Sequence, residues 1–260
     1  MKKIALITGA SSGIGLELAR IHAEKGGSVV AVARSQDKLE ALKKDLEEKY
    51  DVEVHPIVKD LTAPKAAEEV YNEVKALGLT VDYLINNAGF GGIGKFHERD
   101  LNSDLNMIQL NVSVLVELTH LYLQDFVARG SGKILQVSST ASLVPGPLQA
   151  TYYASKAFIT SFSNAIAEEL KDTGVTVTAL MPGATDTDFG KVSGMDKTKL
   201  FDDVTSAKTV AQEGYDAMMA GKLDQISALT FGQKILMKLT PFMPKKIILK
   251  QIRGMQEVVK

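Results

Sequence analysis

Residues 151–156 read TYYASK, which sets two tyrosines, a serine and a lysine within six positions. A phenol is a poor proton donor in water, with an ordinary pKa of about 10. A cation one helical turn away favours the ionised ring and makes the phenol a stronger acid. In a helix, Tyr152 stands four residues before Lys156 on the same face, and Tyr153 stands three before it, about 100° further round. Both spacings bring a phenol towards the ammonium, so spacing alone leaves both tyrosines in play. A second stretch, TGASSGIG at 8–15, sets Gly9, Gly13 and Gly15 between an apolar run and a long amphipathic one. A strand-to-helix turn without Cβ atoms lets a pyrophosphate reach free N–H groups and the positive end of a helix dipole. The loop points to nucleotide binding, although its Gly-x-x-x-Gly-x-Gly spacing is not the commoner one.

The elements that must position these residues alternate along the chain. Short apolar runs predict strands at 4–8, 28–33, 52–58, 81–89 (ending in a turn), 133–138 and 175–182. Helical spacing predicts helices at 14–26, 35–50, 63–78, roughly 100–129 and 152–171, with Ser35 as N-cap of the second. Near-continuous apolar strands, each followed by a helix, predict a parallel sheet covered on both faces. Right-handed crossovers make it a doubly wound α/β fold of three αβα layers, here one domain over 1–260. The segment 183–205 breaks the rhythm with Gly183, Gly190 and Gly194, and reads as a surface loop or a lid over a substrate. The tail 231–260 carries six lysines and Arg253 against Glu257, interleaved with Ile, Leu and Met. It predicts a C-terminal extension of two short amphipathic helices broken at Pro241 and Pro244. Such an extension caps the domain, contacts another subunit, or attaches weakly to an anionic membrane surface.

Composition narrows the function. A net charge of −1 over 260 residues gives no reason to expect a nucleic-acid partner. The absence of cysteine excludes disulfides, thiol nucleophiles and Cys-ligated zinc. The apolar part of MKKIALITGA is too short for a signal-peptide core, so a cytoplasmic protein is expected. His22, His55, His97 and His120 are scattered without a second ligand at metal spacing, and no metal is expected. Asp202 and Asp203 read as solvated surface. Phe90, Gly91, Gly92, Leu143, Val144, Gln149 and Phe189 are candidates to shape a substrate pocket.

The second strand ends AVAR, so its tip is Ala33 followed by Arg34 and Ser35. An acidic residue there would bind the ribose hydroxyls of NAD(H) and repel a 2′-phosphate. A guanidinium pairs with that phosphate instead, which favours NADP(H) over NAD(H).

Taken in order, TGASSGIG, NNAG (86–89), Asn111 in QLNVS, Ser139 in VSST, Tyr152 with Lys156, and PGATDT (182–187) resemble the short-chain dehydrogenase/reductase family over roughly residues 3–190. The resemblance implies a Rossmann fold with strand order 3-2-1-4-5-6-7 and an active site at the C-terminal edge of the sheet. It also selects Tyr152, thirteen residues after Ser139 and four before Lys156, as proton donor. Implied roles follow for the other three. Ser139 would hydrogen-bond the substrate oxygen, Lys156 would acidify Tyr152 and bind the nicotinamide ribose, and Asn111 would hold a water in a proton relay. A fall of about three pKa units at Tyr152 corresponds to about 4 kcal/mol. The implied cofactor contacts are Gly9, Ser11, Ser12, Gly13, Ile14 and Gly15 in the loop, then Arg34, Ser35, Asp60 and Leu61. Asn87, Ala88 and Gly89 would line the ribose, with Asn87 alternatively securing only the turn. Pro182, Gly183, Thr185 and Thr187 would approach the carboxamide, with Thr187 alternatively a helix N-cap. Ser12 stands where NADP(H) enzymes of the family often carry a basic residue, so the phosphate preference rests on Arg34. The implied activity is reduction of a ketone or aldehyde to an alcohol by a small-molecule oxidoreductase, a homodimer or homotetramer through the two long helices. Alternatives are a 3-oxoacyl thioester reductase of fatty acid synthesis and a non-catalytic NADP(H)-binding regulator or scaffold.

Overall fold

A computed structural model describes residues 2–230, 232–233 and 243–257. Seven parallel strands form the central sheet: β1 (Ile4–Thr8), β2 (Ser28–Ala33), β3 (Val54–Val58), β4 (Tyr83–Asn86), β5 (Gly132–Val137), β6 (Val175–Pro182) and β9 (Asp224–Ser227). Their order across the sheet is β3-β2-β1-β4-β5-β6-β9, so the doubly wound arrangement and its strand order are as expected. The inner strands are apolar without alternation, as burial on both faces requires: all of β2 and nearly all of β1 are inaccessible. Pro56 is tolerated in β3 because β3 is an edge strand. The seventh strand, DQIS, has no apolar run and was not visible in the sequence.

Helices α1 (Gly13–Glu24), α2 (Gln36–Lys49) and α8 (Ala207–Met219) have their buried residues in the hydrophobic cluster on one sheet face. Helices α3 (Ala66–Ala76) and α5 (Val114–Arg129) join the cluster on the other, with the C-terminal part of α6 (Ala150–Glu169). The expected helix at 100–129 is α4 (Leu101–Ile108) joined to α5 through a π-helical turn at Gln109–Ser113. Exposed Leu101, Leu105 and Ile108 on α4 and Phe158 on α6 leave apolar surface on the helices where subunit contact was expected. Ser35 occupies the N-cap position of α2, but its side chain makes no capping bond.

The segment 183–205 is ordered by a two-residue parallel pair, β7 (Thr185–Asp186) with β8 (Thr205–Ser206), which closes its two ends together. Between them lie the short helix α7 (Asp188–Ser193) and two 3-10 turns. In the tail, α9 (Lys245–Gln256) begins directly after Pro244, while the first of the two expected tail helices lies outside the described residues. Among the described residues, no helix is long and apolar enough to cross a membrane, and no cluster of His, Asp or Glu is placed to hold a metal.

His22 shows how tightly α1 sits on the sheet. Its Nε2 donates to the Lys3 carbonyl (3.1 Å), so Nδ1 is left to accept from the Tyr215 hydroxyl (2.9 Å). Burial holds this imidazole below its ordinary pKa, against the smaller upward pull of its backbone bonds. The unfolded chain therefore binds the proton more readily than the folded one. This share of stability is complete above the unfolded value of about 6.5 and is lost as pH falls through the folded pKa. Urea midpoints of the wild type should drop between about pH 7.5 and about pH 5.5 by more than those of His22→Gln. Equal drops would show that His22 does not carry the effect.

Candidate active site

The carboxyl ends of the parallel strands open onto one cavity of about 1060 Å³. Its floor at β1 is the glycine loop. Gly9 and Gly13 adopt positive φ (68° and 55°), where a side chain is strained. A Cβ on Gly9 would stand 2.8 Å from Asn87 Nδ2, and one on Gly13 would stand 2.9 Å from the Thr187 methyl. The loop is thus a backbone cradle with 183–188 lying across it. Gly15 does not line the cavity. Its missing Cβ lets α1 press against the turn, because a Cβ there would fall 2.3 Å from the Gly9 carbonyl oxygen.

Every other predicted cofactor contact lines the cavity except Ser35. Arg34 is exposed at its rim and makes no ion pair among the described residues. Asp60 accepts from the Thr62 amide (2.9 Å) and hydroxyl (2.8 Å), and these bonds hold its carboxyl below the usual range. Asn87 does secure the turn: its Nδ2 donates to the carbonyls of Thr8 (2.9 Å) and Gly9 (3.3 Å). Thr8, overlooked in the sequence, accepts from the amides of Asn87 and Ala88 at 3.0 Å each. Thr187 has both expected attributes, lining the cavity and capping α7 through the Phe189 amide (3.3 Å).

At the inner end, Ser139, Tyr152 and Lys156 converge. Ser139 follows β5, its Oγ accepting from the Ala141 amide (3.1 Å), and is placed to hydrogen-bond the Tyr152 hydroxyl. Tyr152 and Lys156 stand one turn apart on α6, both almost wholly buried. Lys156 Nζ donates to the Val137 carbonyl (2.9 Å) and lies 5.8 Å from the centre of the Tyr152 ring. The expected acidification of Tyr152 is not a property of this chain by itself. Burial pushes its pKa up to about 12, with the Ser139 hydrogen bond pulling the other way, and burial draws Lys156 down to about 8. The ammonium serves a backbone carbonyl.

Asn111 sits in the π-helical turn, a distortion that often marks functional positions. It does not line the cavity. Its Nδ2 donates to Phe90 O (3.0 Å) and Ser155 Oγ (3.1 Å), and its Oδ1 accepts from Phe90 N (3.1 Å). Gly89 leaves room for this arrangement, since a Cβ there would lie 2.9 Å from Asn111 Oδ1 and 3.6 Å from Lys156 Nζ.

Of the candidate pocket residues, Phe90, Val144 and Phe189 line the cavity, whereas Gly91, Gly92, Leu143 and Gln149 do not. Gly91 still matters, because a Cβ there would crowd Phe189 (2.9 Å) and Tyr152 (3.3 Å). Asp202 and Asp203 also line the cavity, as do Lys59 and residues of α9, which sequence reasoning missed.

The short chain dehydrogenase family profile matches residues 3–198. The chain belongs to the short chain dehydrogenase family. Its relatives and structural neighbours are named as reductases and dehydrogenases. A curated relative, the very-long-chain 3-oxoacyl-CoA reductase of Bos taurus, is 34% identical over 194 residues, covering 72% of this chain and 61% of that protein. The dehydrogenase therefore spans less than two thirds of that relative's length. Among solved structures, a short-chain dehydrogenase from Sphingobium yanoikuyae in complex with NADPH is similar at 28% identity and TM-score 0.83, covering 98% of each chain. The bulky-bulky ketone specific alcohol dehydrogenase of Comamonas testosteroni is similar at 27% identity and TM-score 0.79, covering 99% of this chain and 97% of that one.

Proposed function

We propose that this short chain dehydrogenase is an NADP(H)-dependent carbonyl reductase in which Tyr152 gives its proton to the carbonyl oxygen of a ketone or aldehyde. The observation that carries this reading is a buried, protonated phenol between a serine hydroxyl and a buried ammonium at the closed end of a dinucleotide-sized cavity. The residues present fit such a cofactor, with the Gly9–Gly13 cradle for the pyrophosphate, Arg34 for a 2′-phosphate and Lys156 for the nicotinamide ribose. Once bound there, the cofactor supplies the hydride. Ser139, oriented by the Ala141 amide, turns its hydroxyl proton to the carbonyl oxygen and fixes it beside Tyr152. An alkoxide is a far stronger base than a phenolate, so a tyrosine that keeps its proton at neutral pH delivers it downhill. Lys156 steadies the resulting tyrosinate, and Asn111 braces the Phe90 backbone through both of its amide atoms.

NADP(H) is favoured over NAD(H) by Arg34, which makes no ion pair among the described residues, and by the NADPH bound to the Sphingobium relative. Replacing Arg34 by Asp should lower kcat/KM for NADPH about 10- to 100-fold, the worth of a charge-assisted contact, and narrow the gap to NADH. Equal use of both cofactors by the wild type would contradict the preference.

A second reading, reduction of a 3-oxoacyl thioester, is favoured by the activity named for the Bos taurus relative. Assaying simple ketones beside 3-oxoacyl thioesters of rising chain length separates the two. A kcat/KM higher for every thioester than for any ketone would replace the first reading by the second.

A further inference from the structure

Helix α9 lies against the reacting end of the cavity. Ile248 is buried in a cluster with Tyr152, Tyr153 and Val144, and Ile252 and Met243 pack against the same cluster. Ile248, Ile252 and Met255 recur at the spacing of one helix face and line the cavity, while Lys245, Lys246, Lys250 and Arg253 are exposed. The helix ends on Gln256, whose side chain is inaccessible to solvent and whose Nε2 donates to the Tyr153 hydroxyl. Its Oε1 has no partner among the described residues, a cost that leucine at this place would not carry. Tyr153 in turn stands edge-on to Tyr152, ring centres 6.0 Å apart at 77°, and has the Gly146 backbone against its ring. The bond therefore ties the far end of α9 to the residue next to the proton donor.

We propose that the Gln256–Tyr153 hydrogen bond latches α9 as the substrate-selecting wall of the active site, and that this wall receives a carbonyl compound with an extended, uncharged apolar body. Tyr153 and Gln256 are positioning residues: neither reaches the reacting carbonyl. The apolar face of α9 excludes water from that body, and Met195, Met243 and Met255 give a lining that adapts to its shape. A small ketone buries little surface on the wall and depends little on the latch. The inference rests on the carbonyl-reductase reading for its substrate but not for the latch itself.

The test uses the full chain with NADPH and a series of 2-alkanones from butanone to undecanone. Tyr153→Phe and Gln256→Leu each remove one partner while keeping volume. Each should raise KM for the longest ketone about three- to tenfold, the worth of one neutral hydrogen bond. The kcat for butanone should stay within about twofold in both, and the double variant should cost no more than either single change, because one bond is lost in each case. Amide hydrogen exchange across 243–257 should quicken in both variants. Equal losses for butanone and undecanone, additive effects, or unchanged exchange would overturn the proposal. If the wild type reduces no ketone, the carbonyl-reductase reading fails, and the exchange measurement still decides whether the latch exists.

Discussion

Replacing Tyr152 with phenylalanine should lower kcat for ketone reduction by about 10³-fold, within the range that positioned proton transfer spans, while NADPH affinity changes little. The substitution removes one hydroxyl and keeps the ring. That ring is held by Tyr153, edge-on at 6.0 Å, and by Phe189 at 5.5 Å, so the wall of the cavity stays in place. Ser139 would then hold the carbonyl oxygen with no phenol beside it to give up a proton. The direction of reaction enters here as well. Burial keeps Tyr152 protonated through neutral pH, which suits donation to an alkoxide and opposes its use as a base for alcohol oxidation. Oxidation of an alcohol should therefore gain rate as pH rises, while reduction does not. A Tyr152→Phe enzyme that turns over within about tenfold of the wild type would remove Tyr152 from the mechanism.

The second large effect is expected at Lys156. Lys156→Met keeps an unbranched apolar stem in the buried site and deletes the charge. It should cost about 10²- to 10³-fold in kcat, comparable to loss of one preorganised electrostatic contact, and should also weaken NADPH binding through the ribose. The pH profile carries the sign. Burial draws the ammonium pKa down to about 8, so Lys156 is mostly charged at neutral pH and gives up its proton as pH rises through that value. Wild-type kcat/KM for reduction should fall over the same range, and the residual activity of Lys156→Met should lack that step. A wild-type profile without a fall near pH 8, or a variant that keeps the step, would show that the ionisation belongs elsewhere.

Much of the scaffold was legible because its strands are apolar on both faces. IALIT and SVVAVA need no partner in view to be read as buried strands, and both were found at the expected residues. The strand Asp224–Ser227 could not be read this way. DQIS is polar, and it becomes a strand only because the edge of β6 offers it hydrogen bonds. The π-helical turn at Gln109–Ser113 was hidden for a similar reason. Helical spacing runs through it without a break, and only the bonds from Asn111 to Phe90 and Ser155 show what the distortion accommodates.

The site shows the same division between local and tertiary causes. The spacing of Tyr152 and Lys156 announced that phenol and amine share a helix face, but it could not weigh charge against burial. That balance depends on Val137, whose carbonyl takes the ammonium, and on the packing that buries both side chains. The spacing also left Tyr153 as a competitor, and its hydroxyl is engaged by Gln256, 103 residues away in sequence. The amphipathic tail was recognisable, yet nothing in its pattern said that Ile248, Ile252 and Met255 would line the cavity. The pair of two-residue strands that ties the ends of 183–205 together is likewise too short to leave a sequence signal.

The most direct measurement mixes the purified chain with NADPH and a panel of apolar ketones and aldehydes, following nucleotide oxidation and alcohol formation together. One alcohol should appear for each NADPH consumed with the wild type, and neither should be detected above background with Tyr152→Phe although NADPH still binds. Binding of NADPH by the wild type without reduction of any carbonyl in the panel would contradict the account and leave a nucleotide-binding regulator in its place.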